Sequence, residues 1–436
     1  MTNSIANSKT FCPLPFIHLA TRPNGDVRLC CTSNASGAGV DDAKEVGLVT
    51  DTSGTKMNLR DQTIEEVWNS EFMRKTRIKL LNDQIPESCK KCFEEESKGI
   101  KSKRYWETEV WRERLDLDEV VSSMQVDGSM PVDIPYFDLR LGNLCNLKCV
   151  MCSPHDSSSW IKEWKIQTPQ YKNPILIQDQ GWDRTMDYTW YQKGSFLDSM
   201  KNQAHNIKEL YFAGGEPLLI PEHERILRFM VESGYSKNCI LRYNSNGTEI
   251  TDSMIDLWSQ FKLVKFNFSI DAYGEKNNYI RYPSDWSTIV QNLHKLDNTP
   301  DNIIVNVACA VQLLNVKYLD ELVDWKMSQN FNKVNTKAYG AGLIGLHLVY
   351  LPSYLNIRVL PQKEKELVTE RIHKLVEKYS TLDFDNDPYG KQRWLGLINY
   401  MNSEDWSYKL PAAIEYLTIT DKTRNTDYKK TFDLEL

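Results

Sequence analysis

Apolar positions along this chain recur with two periods. From residue 135 onward, short apolar runs alternate with stretches of helical period. Candidate strands lie at 136–141, 207–212, 239–245, 263–270, 303–311 and, more weakly, 346–351. Strands alternating with helices predict parallel strands joined by crossovers, and six such units predict an α/β fold with a partial (β/α)6 barrel over residues 131–351. The helix after the second strand should start with Pro221 in its first turn and stop at Gly234. Ahead of the barrel, Thr63 and Glu66 read as a capping box that opens a helix whose buried stripe is Ile64, Val67, Trp68 and Phe72. The rest of the first hundred residues reads as short irregular segments, a small cysteine-rich domain over 1–105. A charged stretch at 94–119, carrying Trp106 and Trp111, reads as a solvated, partly helical connector, with the linker proper at 106–130. Residues 352–436 read as a C-terminal helical extension, with a helical run at 363–379 and no interpretable motif.

Within the candidate strands the polar positions are as informative as the apolar ones. In 263–270, one face carries Val264, Phe266, Phe268 and Ile270, and the other Lys265, Asn267 and Ser269. Asp138 and Arg140 on the first strand, and Arg242 and Asn244 on the third, break the pattern in the same way. Strands of a closed barrel fill its interior with branched apolar side chains. Polar inner faces on several strands therefore predict an open barrel around a polar ligand, the alternative being strand ends that face solvent.

Composition narrows the function. At 436 residues the chain exceeds the usual single-domain size. Its net charge of −6 and pI near 5.8 do not favour binding nucleic acid. No apolar run reaches membrane-spanning length, and the N-terminus lacks the pattern of a secretory signal, so a cytoplasmic protein is expected. Ten cysteines in a reducing compartment are not read as disulfides. Their clustering suggests metal: Cys12, Cys30, Cys31, Cys89 and Cys92 form one group, and Cys145, Cys149 and Cys152 a second. Cys239 and Cys309 stand alone in apolar strands, where a packed thiol is expected.

The second group lies in a loop at the C-terminal end of the first candidate strand, where barrel active sites lie. Three thiolates leave one iron of a [4Fe-4S] cube open to an exogenous ligand. The competing reading is zinc, with His155 as a fourth ligand. In the first group four spaced thiolates suit either a tetrahedral ion or a fully ligated cube, and His18 could replace a cysteine if the ion is zinc.

The C-x3-C-x2-C spacing of Cys145, Cys149 and Cys152 resembles the cluster loop of the radical SAM enzymes, whose open iron binds S-adenosylmethionine (SAM). Further segments extend the resemblance. Gly214-Gly215-Glu216-Pro217 after the second strand is similar to the family's GGEP segment, which receives the cofactor's amino group. Ser245 and Asn246 after the third strand look like the polar segment near the ribose. Ser269 after the fourth looks like a hydroxyl directed at the cofactor carboxylate, with Arg281 as its cationic partner. Met151 stands where the family commonly has an aromatic residue near the adenine. In the N-terminal group, the C-x12-G-x4-C spacing from Cys12 through Gly25 to Cys30, with the distant pair Cys89 and Cys92, resembles the twitch domain, a half-sized relative of SPASM. That domain usually follows the barrel; the order here resembles phage-encoded members. The resemblance implies a SAM-binding [4Fe-4S] cluster, a second, auxiliary [4Fe-4S] cluster, and a reducing electron donor. It also implies reductive cleavage of SAM to a 5′-deoxyadenosyl radical that abstracts hydrogen from a peptide, a protein residue or a small molecule. The alternative is a zinc-stabilised barrel that binds a partner without catalysis. The aromatic segment 153–195, with Trp160, Trp164, Tyr171, Trp182, Tyr188, Trp190 and Tyr191, reads either as a substrate entrance or as a packed insertion.

Overall fold

The computed structural model describes residues 8–33, 47–97, 101–178, 185–193, 195–334, 343–380 and 388–434. The chain divides into two compact units, each made of two segments: 1–143 with 185–241, and 144–184 with 242–436.

The first unit carries β1 (His18–Thr21), β2 (Val27–Arg28), β3 (Tyr136–Leu139) and β4 (Glu209–Phe212). β1 runs parallel to β3 (His18 opposite Tyr136, Ala20 opposite Asp138), and β3 runs parallel to β4 (Asp138 opposite Tyr211). β2 closes the row antiparallel to β1, with Arg28 opposite Ala20. The N-terminal segment is therefore not irregular: it supplies two strands. The capping box forms as expected, with Thr63 and Glu66 each satisfying the other's amide at the start of Ile64–Trp68. A second helix, Glu71–Leu81, follows and brings in the fully buried Arg77, which donates to the carbonyls of Pro15, Trp68 and Gly128 at 2.8, 2.9 and 3.1 Å. In the charged stretch Trp111 is wholly buried rather than solvated. The helix Pro221–Glu232 has proline in its first turn, and Gly234 just beyond it takes a left-handed φ of +75°.

β5 (Ile240–Ser245) passes from the first unit's segment into the second's. The second unit then carries β6 (Leu263–Ser269), β7 (Ile303–Val311) and β8 (Gly345–Leu348), parallel in that order. Their two faces differ as the alternation predicts. Val264, Phe266 and Phe268 of β6 and Val305, Val307 and Cys309 of β7 are all at most 1% exposed. On the opposite face Asn267 lies opposite Asn306 and donates to Asn244 of β5 at 2.9 Å, making an asparagine ladder across three strands. Cys239 and Cys309 are buried thiols that bond to carbonyls, as expected. The C-terminal extension forms the helices Gln362–Lys378, Pro388–Asn402 and Leu410–Arg424. Among the described residues, no helix is long and apolar enough to cross a membrane.

Two outcomes follow from these contacts. Phe268→Ala should cost about 3–5 kcal/mol in urea unfolding of the metal-free protein, whereas Asn267→Ala, on the open face, should cost no more than about 1 kcal/mol. His18 is buried against the Tyr136 ring (4.4 Å) with neither ring nitrogen hydrogen-bonded, and burial lowers its pKa to about 4. Its folded pKa lies below the unfolded value, so the unfolded chain binds the extra proton. Stability should therefore fall between pH 6.5 and about 4, by up to roughly 3 kcal/mol for this residue. His18→Phe, which keeps the ring stack, should flatten that part of the pH profile.

Candidate functional site

The loop 144–152 has no regular structure, so its backbone must find partners elsewhere. It does so almost residue by residue. The Cys145 amide donates to Ser158 Oγ at 3.3 Å and its carbonyl accepts from Ser159 Oγ at 2.7 Å. Ser157 Oγ donates to the Leu147 carbonyl at 2.6 Å, and Trp160 Nε1 to that of Cys149 at 3.0 Å. The Lys148 and Val150 amides donate to the carbonyls of Tyr282 and Ile280 at 2.6 and 2.8 Å. Arg424 Nη2 donates to the Lys148 carbonyl, and Tyr416 Oη to that of Val150, both at 2.7 Å.

The loop so held gathers its three thiols. Burial pushes Cys152 well above the ordinary thiol range, with Asp156, Cys149 and Cys145 adding repulsion. Burial also raises Cys149, against the pull of Arg281 and Arg424. Arg281 lies with Nη1 3.9 Å from Cys149 Sγ and Nε 2.7 Å from Asp271 Oδ2, so its charge is already matched by a buried carboxylate. Asn246 Nδ2 donates to Asn146 Oδ1 at 2.9 Å and approaches Cys145 Sγ at 3.9 Å, while Asn146 donates to Thr248 Oγ1 at 2.8 Å. The structure thus brings Asn246 and Arg281 to the cysteine loop. Ser245 Oγ accepts from the Gly247 amide at 3.0 Å, and Ser269, at the end of β6, and Met151 are half-buried. Asn146, Glu163, Tyr416 and Arg424 also belong to this site and carry no motif. Only their shared dependence on the loop marks them.

In the first unit, Gly214, Gly215 and Glu216 follow β4. Gly214 has φ of +74°, and a Cβ there would stand 2.7 Å from Arg140 Cγ, so only glycine fits. Glu216 is 1% exposed and accepts from the Leu218 amide at 3.2 Å, capping the turn Pro217–Leu219. Cys12, Cys30 and Cys89 border one hydrophobic cluster with Phe11, Leu14, Trp111 and Tyr136. Burial raises Cys12, and Cys89, Cys30 and Cys92 raise it further; Cys89 is pushed up to about 12 by burial and by Cys30. These four thiols act on one another, while Cys31 is felt at Cys30.

Buried thiols that repel one another when ionised suit ligands whose protons a metal displaces. Among the described residues, no three His, Cys, Asp or Glu side chains could hold a metal ion between them.

In the aromatic segment, Trp160, Trp164 and Tyr171 of the second unit and Trp190 and Tyr191 of the first are buried, in keeping with packing; Tyr188 is half-buried, and Trp182 lies outside the described residues.

Residues 139–324 match the Radical SAM superfamily, and residues 12–93 match SPASM, an iron-sulfur cluster-binding domain. No curated protein matches the chain in sequence. Solved structures similar to it include anSMEcpe with bound AdoMet and the Cp18Cys peptide, at 14% identity and TM-score 0.35, covering 57% of this chain and 60% of that one. Another is Streptococcus suis SuiB bound to S-adenosylmethionine, at 12% identity and TM-score 0.31, covering 55% of this chain and 43% of that one. The chain therefore spans less than two thirds of the length of either. A radical SAM domain holds a [4Fe-4S] cluster and SAM, and a SPASM domain an auxiliary cluster. This chain carries both matches, the one to SPASM over 12–93 ahead of the one to the Radical SAM superfamily over 139–324.

Proposed function

We propose that the chain is a radical SAM enzyme that cleaves SAM reductively and abstracts hydrogen from a substrate, a peptide or protein residue or a small molecule. Cys145, Cys149 and Cys152 ligate three irons of one cluster; Cys12, Cys30, Cys89 and Cys92 ligate the auxiliary cluster. The observation that carries this reading is the gathering of three half-buried thiols on a loop whose backbone is tied down at Cys145 and on both sides of Cys149. When bound, the first cluster supplies the electron that breaks a carbon–sulfur bond of SAM.

The protein's own residues hold and shield. Gly214 and Gly215 open the main chain to a ligand, and Glu216 offers a carboxylate to an ammonium. Ser245, Asn246, Ser269 and Met151 are the further cofactor-binding residues we assign. Arg281 keeps a buried cation beside Cys149, with Asp271 fixing its direction. Lys265, Asn267 and Asn306 make the other face of β6 and β7 polar, which suits a polar ligand. Charge for the reaction comes from a separate electron donor. The domain boundaries we assign are 1–105, 106–130, 131–351 and 352–436, and the auxiliary-first order is one we liken to phage-encoded members. 

Anaerobic material should be brown and carry about eight irons per chain, from two four-iron clusters. With dithionite and SAM it should release 5′-deoxyadenosine. Replacing Cys145, Cys149 and Cys152 together with Ala should abolish that product and remove about half of the iron. Zinc in place of iron at the triplet would overturn the proposal. The auxiliary ligand assignment is tested separately: Cys30→Ala should lower the iron content by up to about half, and Cys31→Ala should leave it unchanged.

A further inference from the structure

The C-terminal extension bears no motif, yet it supplies two of the groups that hold the cysteine loop. The helix Leu410–Arg424 ends at Asn425, which takes a left-handed φ of +57° and stops it there. Just before that end, Asp421 accepts from Tyr279 Oη at 2.8 Å and from the Tyr428 amide at 2.8 Å, fixing the helix against the segment that leads to Arg281. Two side chains then reach the loop. Tyr416, 1% exposed, gives its hydroxyl to the Val150 carbonyl. Arg424, 8% exposed, gives Nη2 to the Lys148 carbonyl and Nε to Glu163 Oε1 at 2.6 Å. The residues on either side of Cys149 are thus both gripped from one helix, and Trp160 holds the Cys149 carbonyl between them.

Charge adds a second effect. Glu163 receives Arg424 on one oxygen and Lys148 Nζ on the other, the latter at 2.6 Å. One carboxylate faces two cations, so Arg424, Lys148 and Glu163 together place a net positive charge near Cys149, while Asp156 lies near Cys152 and Asp271 is paired with Arg281. The Arg424 guanidinium is sandwiched 4.7 Å from the Trp160 ring and 5.0 Å from that of Tyr282, where water screens it little.

We propose that Arg424 and Tyr416 are positioning residues for the cluster on Cys145, Cys149 and Cys152: they fix the carbonyls flanking Cys149, and the cation that Arg424 adds at Glu163 raises the cluster's reduction potential. The inference rests on the cluster assignment above. A buried cation favours the reduced, more negative state, so removing it makes reduction harder. Residues that hold first ligands typically affect metal affinity or activity by about ten- to a hundredfold.

The test uses the full chain, reconstituted without oxygen and studied by potentiometric titration and low-temperature EPR with and without SAM. Arg424→Gln should move the potential of the SAM-binding cluster to more negative values, and Arg424→Lys should restore most of that shift. Tyr416→Phe, which removes one hydroxyl, should alter the EPR signal of the SAM complex and slow 5′-deoxyadenosine release by about tenfold or more. The auxiliary cluster, remote in sequence from these substitutions, reports folding in the same sample through its own share of the iron. If Arg424→Gln loses that iron as well, Tyr416→Phe decides. Wild-type potential in Arg424→Gln where it folds, together with wild-type EPR and rate in Tyr416→Phe, or the latter alone where Arg424→Gln does not fold, would overturn the inference while leaving the cluster assignment intact. A wild-type protein with no iron at the triplet would instead sink the assignment itself.

Discussion

A loop that gathers three thiols cannot also form a helix or a strand, and the need to satisfy its backbone governs much of what surrounds it. An unpaired buried carbonyl costs about 1–3 kcal/mol, and the loop 144–152 offers several close together. The structure answers with side chains. Ser157, Ser158, Ser159 and Trp160 reach back from the start of the following helix, the segment around Ile280 and Tyr282 pairs with two amides, and Tyr416 and Arg424 come from the end of the chain. The run of three serines after Asp156 is thereby explained. A hydroxyl is short enough to turn back onto the preceding backbone and satisfies it locally.

The thiols of the first unit face the opposite problem. Cys12, Cys30 and Cys89 border an apolar cluster rather than a polar loop, and burial makes their ionisation unfavourable. Without a metal they are weakly acidic; with one, the same apolar shell excludes water and limits the exchange of ligands. The N-terminal strands give this arrangement its rigidity. β1 pairs in parallel with β3, so the segment that bears Cys12 is joined by a backbone ladder to the strand preceding the second cysteine group.

Some of this was legible in the sequence, and for identifiable reasons. The capping box at Thr63 and Glu66, the proline-to-glycine punctuation of the helix Pro221–Glu232, and the two-faced strand β6 all rest on interactions between near neighbours, which spacing records. β1 escaped because four residues, His-Leu-Ala-Thr, are all buried and show no alternation. Trp111 escaped because its helix is charged around it; its indole bonds to Glu107 one turn earlier, so a polar neighbour satisfies a core residue. The partners of the loop escaped for another reason. Arg424 and Lys148 are 276 positions apart, and Tyr416 and Val150 are 266 apart. An arginine near the end of a surface-like helix carries no sign that its guanidinium is buried between two rings.

The matched region, 139–324, contains the three cysteines and the serines that satisfy the loop from its own side. It does not contain Tyr416 or Arg424, which satisfy the loop from the other. The matched region therefore carries the three cysteines, whereas the geometry in which their loop is held is completed by chain outside the family match. Ligand spacing is constrained by the chemistry of the metal and varies little, but a carbonyl needs only a donor at hydrogen-bonding distance, and any element that can bring one there will serve. In this chain the C-terminal helix does so, and the buried ion cluster of Arg424, Glu163 and Lys148 is the consequence of bringing that donor as an arginine: the cation needs a carboxylate, and Glu163 lies one helical turn beyond Ser159 to provide it.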